Sequence, residues 1–144
     1  MLFLKRCYVN TTDEVDVIPI THDLRYAIRD SKSSDGMITV TSPEYGVGFV
    51  MAPAIKEVLD EIRASIEVFG AEGGIVKDRL KRERELGPII QSIMLGKSIH
   101  LIFEDGDLIM DVCDEVYLFD FLKKRGRREF LIQVIADTPT PKKQ

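Results

Sequence analysis

The residues best suited to chemistry lie in a short interruption between two apolar runs of the chain. Residues 37–40 and 47–51 have the β-branched and aromatic content typical of strands, and residues 42–46 between them contain proline and glycine. Glu44 and Tyr45 are therefore predicted at an irregular strand edge, where backbone often serves a site. If it is buried there, the Glu44 carboxylate is suited to act as a general base or an oxygen ligand.

A second candidate site is the basic turn at residues 123–128, whose sequence is KKRGRR. Guanidinium groups such as those of Arg127 and Arg128 can form bidentate hydrogen bonds to phosphate oxygens. The turn is therefore a candidate contact for a phosphorylated or otherwise anionic ligand. The alternative is a solvated surface turn, because short basic turns are usually exposed.

Acidic side chains are concentrated around a predicted hairpin in the last third of the chain. They are Glu104, Asp105, Asp107, Asp111, Asp114 and Glu115. A hard cation needs several oxygen ligands that converge on one point, whereas alternation along a strand directs neighbouring side chains to opposite faces. The spacing of an EF-hand is also absent, so we favour a solvated acidic rim and predict no metal site.

Other catalytic or cofactor patterns are weak. His22 falls in the first turn of a predicted helix and His100 in the middle of a predicted strand, and no spacing typical of a catalytic triad surrounds either. The Gly46–Gly48 pair does not open a helix, which argues against dinucleotide binding. No cofactor is predicted.

Composition excludes several classes of protein. The 144 residues carry a net charge of −4, which gives no support for binding to nucleic acid or to a membrane surface. No apolar run approaches the ~20 residues of a membrane span, and the N-terminus does not resemble a signal peptide. Cys7 and Cys113 lie in apolar runs and are predicted to be buried, free thiols. We therefore expect a cytoplasmic protein.

The periodicity of apolar residues predicts the element order ββαββα(α)ββββ. Strands are predicted at residues 2–9, 14–20, 37–40, 47–51, 98–103, 108–112, 115–121 and 130–136, and helices at 22–32, 53–69 and 89–95. Most strands are joined by hairpins, including an Asp-Gly turn at Asp105. This order is typical of an α+β fold with antiparallel sheets and helices packed on one face. We expect one domain over residues 1–137 and a flexible tail at 138–144.

Three local signals refine these boundaries. Thr21 is predicted to cap the first helix with its hydroxyl, and Pro53 to lie in the first turn of the second helix. Pro19 cannot donate to a strand ladder, so its strand is expected to end there or to lie at a sheet edge. The mixed-charge residues 77–85 are expected to form a solvated helix face.

Taken together, the segments resemble the YjbQ-like family, described as secondary thiamine-phosphate synthases. The resemblance extends from the first hairpin to about Ala136. The features that carry it are Ile20-Thr21 before the first helix, Gly36 at the central strand, SIMLG at residues 92–96, Gly106 at the hairpin turn, and REFLIQ at residues 128–133. It implies a compact α+β fold, a homotrimer with sites near subunit contacts, and a thiamine-phosphate-forming activity at a pocket centred on histidine.

The chain departs from the family at the positions of that pocket. The family's His-Thr-Thr falls on Glu44, Tyr45 and Gly46, its Asn-Glu on Ala52 and Pro53, its second His on Ile89, and its Trp-Gln on Cys113 and Asp114. Without these imidazoles, the pocket lacks groups that titrate near neutral pH. Arg128 matches a family arginine, and the candidate pocket residues are Glu44, Tyr45 and Asp114.

We therefore expect a homotrimeric scaffold with a remodelled pocket that binds a small anionic or phosphorylated ligand, or that has lost its ligand. The first alternative is an enzyme of the thiamine-phosphate synthase class with a site rebuilt from Glu44, Tyr45, Asp114 and Arg128. The second is an RNA-binding module that uses the basic turn and the charged residues 77–84, which the acidic net charge disfavours.

Overall fold

The computed structural model describes residues 1–137, which form ten strands and three helices. The helices are α1 (Thr21–Ser31), α2 (Lys56–Glu67) and α3 (Leu86–Leu95). The strands are β1 (Leu2–Asn10), β2 (Val17–Pro19), β3 (Gly36–Thr41), β4 (Val47–Pro53), β5 (Ile75–Lys77), β6 (Glu83–Glu85), β7 (Ser98–Glu104), β8 (Asp107–Leu108), β9 (Asp114–Asp120) and β10 (Arg127–Ala136). The predicted tail at 138–144 lies outside the described residues.

The strands of the described residues form three antiparallel sheets. The largest has the order β1-β10-β3-β7-β8, the second has the order β2-β9-β4, and β5 and β6 form a separate hairpin. Alternation along β10 buries Phe130, Ile132 and Val134 on one face of the large sheet and leaves Ile135 exposed on the other. The predicted α+β class with antiparallel sheets is confirmed, and β2 ends at Pro19 on a sheet edge as expected.

The main core lies between the inner faces of the two larger sheets. The buried stripe of α1, formed by Leu24, Ala27 and Ile28, belongs to this core. On the opposite face of the small sheet, aromatic side chains of β9 and its extension pack against α2 and α3. All three helices therefore lie on the same side of the large sheet, and its outer face carries none of them.

The predicted Asp-Gly hairpin turn joins β7 to β8. Asp105 and Gly106 have φ values of 52° and 78°, and two positive φ values in succession are the signature of a type I′ turn. The second strand of this hairpin, β8, was predicted to extend to residue 112. It ends at Leu108, where the chain leaves the sheet.

The two cysteines occupy different environments. Cys7 is buried in β1, as predicted, and burial raises the pKa of its thiol. Cys113 is exposed, so the prediction of a second buried thiol was wrong. The residues before it form a turn in which Asp111 Oδ1 accepts a hydrogen bond from the backbone N–H of Cys113 at 2.9 Å. This turn replaces the predicted strand and exposes the side chain.

Two predicted helix starts were wrong. Thr21 is the first residue of α1 rather than its cap, and its Oγ1 accepts a hydrogen bond from the N–H of Val116 in β9 at 2.9 Å. Pro53 ends β4, which is an edge strand, and α2 begins at Lys56. An edge position tolerates proline because the missing N–H would face away from the neighbouring strand.

Residues 77–85 were predicted to form a helix face but belong to the β5–β6 hairpin. Asp78 organises its turn, because Oδ1 accepts hydrogen bonds from the N–H groups of Leu80 and Arg82 while Oδ2 accepts from the side chains of Arg82 and Arg84. Desolvation raises the pKa of Asp78, but these hydrogen bonds outweigh it and lower the pKa to about 2. An aspartate that satisfies nearby backbone donors favours a turn over a helix.

Candidate functional site

The Glu44 carboxylate holds the kink between β3 and β4 against β10. Its Oε2 accepts a hydrogen bond from the N–H of Glu129 at 2.8 Å, and Ser42 Oγ donates to the Glu129 carbonyl at 2.6 Å. Lys97 Nζ donates to the Glu44 carbonyl at 3.2 Å, and burial lowers the pKa of this lysine. The Glu44 carboxylate therefore stabilises the kink by accepting a backbone hydrogen bond from β10.

Tyr45 lies next to the β5–β6 hairpin, and Gly46 lies next to α3. The guanidinium of Arg84 in β6 lies 4.5 Å from the centre of the Tyr45 ring. Gly46 has a φ of +78°, and a Cβ there would lie 2.7 Å from Leu122 and 3.2 Å from Pro88. Glycine is required at this position both for its backbone conformation and for the close approach of its neighbours.

Asp114 does not lie with Glu44 and Tyr45. It begins β9 opposite Pro53, whereas Val47, which follows the kink, pairs with Asp120 at the other end of the same ladder. Six residues of extended strand separate Asp114 from Asp120, which corresponds to about 20 Å. The predicted pocket residues therefore occupy opposite ends of the β4–β9 pair.

Arg128 and Arg127, the predicted ligand-binding residues, point to opposite faces of β10. Arg128 is 7% exposed and donates through Nε to Asp120 Oδ2 at 3.0 Å and through its other nitrogens to the carbonyls of Lys124 and Arg127. Arg127 is exposed and stacks on Tyr8, with 3.8 Å between its guanidinium carbon and the ring centre. Every nitrogen of Arg128 thus has a protein partner.

Asp120, fully buried at the end of β9, is the centre of a polar cluster. Its Oδ2 also accepts from Thr11 Oγ1 at 2.6 Å, and its Oδ1 accepts from the N–H of Leu122 at 3.0 Å. Its carbonyl accepts from Arg125 Nη1 at 2.6 Å and from Arg63 Nη2 at 3.0 Å. A buried carboxylate needs such a complete set of donors to remain charged.

Asp16 joins the two remaining arginines of the cluster. Its Oδ2 lies 2.7 Å from Arg125 Nη2 and 3.0 Å from Arg63 Nη2. Arg63 is further fixed by Glu67, whose Oε1 accepts from Nε at 2.7 Å, and by the face of Phe121 at 5.1 Å. Both guanidinium groups are therefore held in place before any ligand arrives.

A cavity of about 450 Å³ opens beside this cluster. It lies between the end of α2, the start of α3 and the turn after β9, and its lining includes Arg63, Glu67, Glu85, Phe121, Lys123 and Arg125. Within residues 1–137, the buried side-chain polar atoms without a hydrogen-bond partner are Arg63 Nη1 and Arg125 Nε. Leaving such donors unpaired costs roughly 1–3 kcal/mol each, more for charged groups.

Arg63, Asp16 and Asp120 were not predicted from the sequence to form one cluster. They come from α2, from the loop before β2 and from the end of β9, so no local motif connects them. One signal was available, because Arg63 lies four residues after Leu59 and therefore on the apolar stripe of α2. A charged residue on a packed helix face requires a partner, which is a reason to single it out.

No group of three or more His, Cys, Asp or Glu side chains in residues 1–137 is arranged to hold a metal ion. Within the same residues, no helix is long and apolar enough to cross a membrane.

Comparison with known proteins places the chain in a family. Residues 5–137 match the family described as UPF0047 protein YjbQ-like. The chain belongs to the YjbQ-like family. No curated protein matches it. The resemblance inferred from the sequence is therefore confirmed over almost the whole described chain.

Solved structures share the fold of this YjbQ-like protein at low sequence identity. A YbjQ-like protein of unknown function from Sulfolobus solfataricus is 14% identical, with a TM-score of 0.82 over 95% of this chain and 99% of the other. An uncharacterised YjbQ/UPF0047 protein from Clostridium acetobutylicum is 23% identical, with a TM-score of 0.78 over 91% and 99%. A hypothetical protein from Aeropyrum pernix is 15% identical, with a TM-score of 0.79 over 93% and 98%. These likenesses establish the fold.

The candidate pocket positions named from the sequence resemblance form two groups in this YjbQ-like chain. Residues 44–46 lie close to α3, since Gly46 contacts Pro88. Pro53 and Asp114 lie at the far end of the β4–β9 ladder, where they pair with each other. The arginine cavity is on the same side of the molecule as the first group, because Pro88 also lines it.

Proposed function

We propose that this YjbQ-like protein is a homotrimer that binds a small phosphorylated molecule in the cavity beside Arg63 and Arg125. The observation that carries this proposal is that both arginines line the cavity and that Asp16 holds their guanidinium groups next to each other there. Phosphate oxygens are strong acceptors for guanidinium donors, and such charge-assisted bonds are about twice as strong as neutral ones. Lys123 at the cavity rim adds a third positive charge.

The location differs from the one expected from the sequence. Arg128 was the predicted anion contact, but its nitrogens are bound to Asp120 and two carbonyls. A phosphate would have to compete with these partners at Arg128, which does not line the cavity, whereas Arg63 and Arg125 do line it. The remodelled pocket is thus best supported at the cavity, next to the residues that replace the family's His-Thr-Thr.

Binding without catalysis is the reading that the geometry favours. The enzyme alternative requires Glu44, Tyr45, Asp114 and Arg128 to act on one substrate, yet Asp114 is about 20 Å from the kink end of its strand. Incubation with the family's pyrimidine diphosphate and thiazole phosphate substrates, with and without divalent metal ions, should give no turnover. Turnover that disappears in Glu44→Gln would establish the enzyme reading instead.

The outer face of the large sheet supports assembly with further copies of the chain. Leu2, Ile135, Met37 and Ile102 are successive cross-strand partners, so they form one exposed apolar row over β1, β10, β3 and β7. Contiguous exposed apolar surface on a sheet is typical of an interface. We assign this row to contacts between the copies of the trimer.

Calorimetric titration with methyl phosphate, the simplest phosphomonoester, tests the binding proposal. We expect saturable binding to the wild-type protein and about fivefold weaker binding to Lys123→Gln, since the rim charge contributes about 1 kcal/mol. Arg79→Gln removes the same charge from an exposed position outside the cavity lining and should bind as the wild type does. Binding that is absent, or equal in all three proteins, would refute the cavity as the site.

A further inference from the structure

The cavity is larger than a phosphate group requires. Its volume of about 450 Å³ falls within the ~300–1,000 Å³ typical of pockets for small organic molecules. Phe121, Pro88 and Ile75 add apolar surface to the lining, which a bare ion would not use. A ligand that fills the space must therefore have an organic part next to its phosphate.

Two carboxylates in the lining restrict which chemical groups the organic part of the ligand can carry. Glu67 and Glu85 both line the cavity, opposing the three cations Arg63, Lys123 and Arg125. The formal charge of these five side chains is +1, which is low for a site that would hold a bare dianion. A phosphate placed beside the two carboxylates is repelled by them unless hydrogen-bond donors lie between.

Glu85 is the carboxylate with the most unused acceptor capacity. Its Oε2 accepts one long hydrogen bond, 3.4 Å from the N–H of Lys123, and among the described residues it forms no ion pair. It occupies the N-cap position of α3 without capping the helix through its side chain. Glu67, by contrast, already binds Arg63 through Oε1.

We propose that the ligand is a phosphomonoester whose organic part carries hydroxyl or amino donors, and that Glu85 selects for those donors. This inference rests on the proposed function, because it assigns the phosphate to Arg63 and Arg125. A carboxylate accepts hydrogen bonds from both O–H and N–H groups, and a desolvated carboxylate left without a donor is costly. Ligands that lack donors leave Glu85 in that state, and the site discriminates against them.

The test compares three phosphomonoesters that share a head group. Methyl phosphate has no donor on its organic part, glycerol phosphate has hydroxyls and ethanolamine phosphate has a protonated amine. We expect the wild-type protein to bind glycerol phosphate or ethanolamine phosphate at least about tenfold more tightly than methyl phosphate, the size of effect typical of a hydrogen bond to a charged group. The better of the two identifies the donor as hydroxyl or amine.

The matched variants are Glu85→Gln and Glu72→Gln. Glu85→Gln, which keeps an amide acceptor but loses the charge, should reduce the preference to a few-fold while binding methyl phosphate at least as tightly as the wild type does. Glu72→Gln, exposed in the loop after α2 and outside the lining, should keep the full preference. Equal binding of all three esters by the wild type would refute the selection by Glu85 and leave the phosphate site standing. Failure of every ester to bind would refute the proposed function together with this inference.

Discussion

At the scale of single residues, Asp120 determines the arrangement of the site. It has no exposed surface, and its carboxylate and carbonyl receive donors from Thr11, Arg63, Arg125 and Arg128. These residues come from three separate parts of the chain, since Arg125 and Arg128 belong to the same basic turn. Asp120 thus positions the arginines that the proposed ligand would use, chiefly through its backbone carbonyl.

Asp120→Asn should destabilise the protein by about 3–5 kcal/mol, because it leaves the buried Arg128 guanidinium without its counter-charge. Urea denaturation followed by circular dichroism measures the change. Glu104→Gln, which removes a carboxylate from an exposed position in β7, should change the free energy of unfolding by less than about 0.5 kcal/mol. A loss below about 1 kcal/mol for Asp120→Asn would show that the cluster does not depend on this charge.

Individual functional residues were the hardest feature to predict from the sequence. Arg128 was singled out because arginine suits phosphate, yet the structure surrounds it with protein acceptors. Arg63 was not singled out, although it retains an unpaired donor beside the cavity. The difference depends on contacts with Asp16 and Asp120, which are far away in sequence, and residue type alone does not reveal such contacts.

At the scale of elements, the kink between β3 and β4 connects the large sheet to the small sheet and packs against α3. Gly46 makes the kink possible, because its φ of +78° and its contact with Leu122 both exclude a side chain. The kink was predicted from Pro43 and Gly46, and its position is correct. Its partners, the start of α3 and the end of β9, were not predictable because nothing local encodes them.

Gly46→Ala should destabilise the protein by about 2–4 kcal/mol, since the positive φ costs about 1 kcal/mol and the 2.7 Å contact with Leu122 adds a steric term. Gly106→Ala is a close control: it has the same φ of +78° but no atom within 4 Å of the added Cβ. Thermal unfolding of the two variants separates strain from crowding. Equal destabilisation of both would contradict a packing role for Gly46.

Elements were predicted well where apolar periodicity is strong and poorly where side chains bind the backbone. The stripe of α2 and the alternation of β10 were identified correctly. The β5–β6 hairpin was taken for a helix face because the hydrogen bonds of Asp78 to Leu80 and Arg82 override the charge pattern. Thr21 was wrongly predicted to cap α1 for a similar reason, since its hydroxyl accepts a hydrogen bond from the backbone of β9 instead of from its own helix.

At the scale of the whole molecule, the fold class and the family could be predicted from the sequence. Hairpin spacing indicated antiparallel sheets, and the order of short motifs indicated the YjbQ-like family, which the match over residues 5–137 confirms. The division into two packed sheets was not predicted. It depends on which strands pair across long distances, such as β1 with β10, and alternation alone does not specify that.

The trimer remains a prediction, and the outer face of the large sheet gives it a test. Light scattering of the wild-type protein should give about three times the chain mass of 16.4 kDa. Ile102→Lys places a charge within the apolar row at a site that is 61% exposed, so it should reduce the measured mass to that of one chain without unfolding it. Leu80→Lys, equally exposed on the β5–β6 hairpin, should leave the trimer intact. A trimeric Ile102→Lys would place the interface elsewhere.

The most direct test of the central claim is a crystal structure of the protein soaked with a phosphomonoester. We predict density for the phosphate in the cavity, within hydrogen-bonding distance of the Arg63 and Arg125 side chains. Phosphate bound instead at Arg127, or a cavity with no phosphate at a concentration that saturates the solution titration, would contradict it.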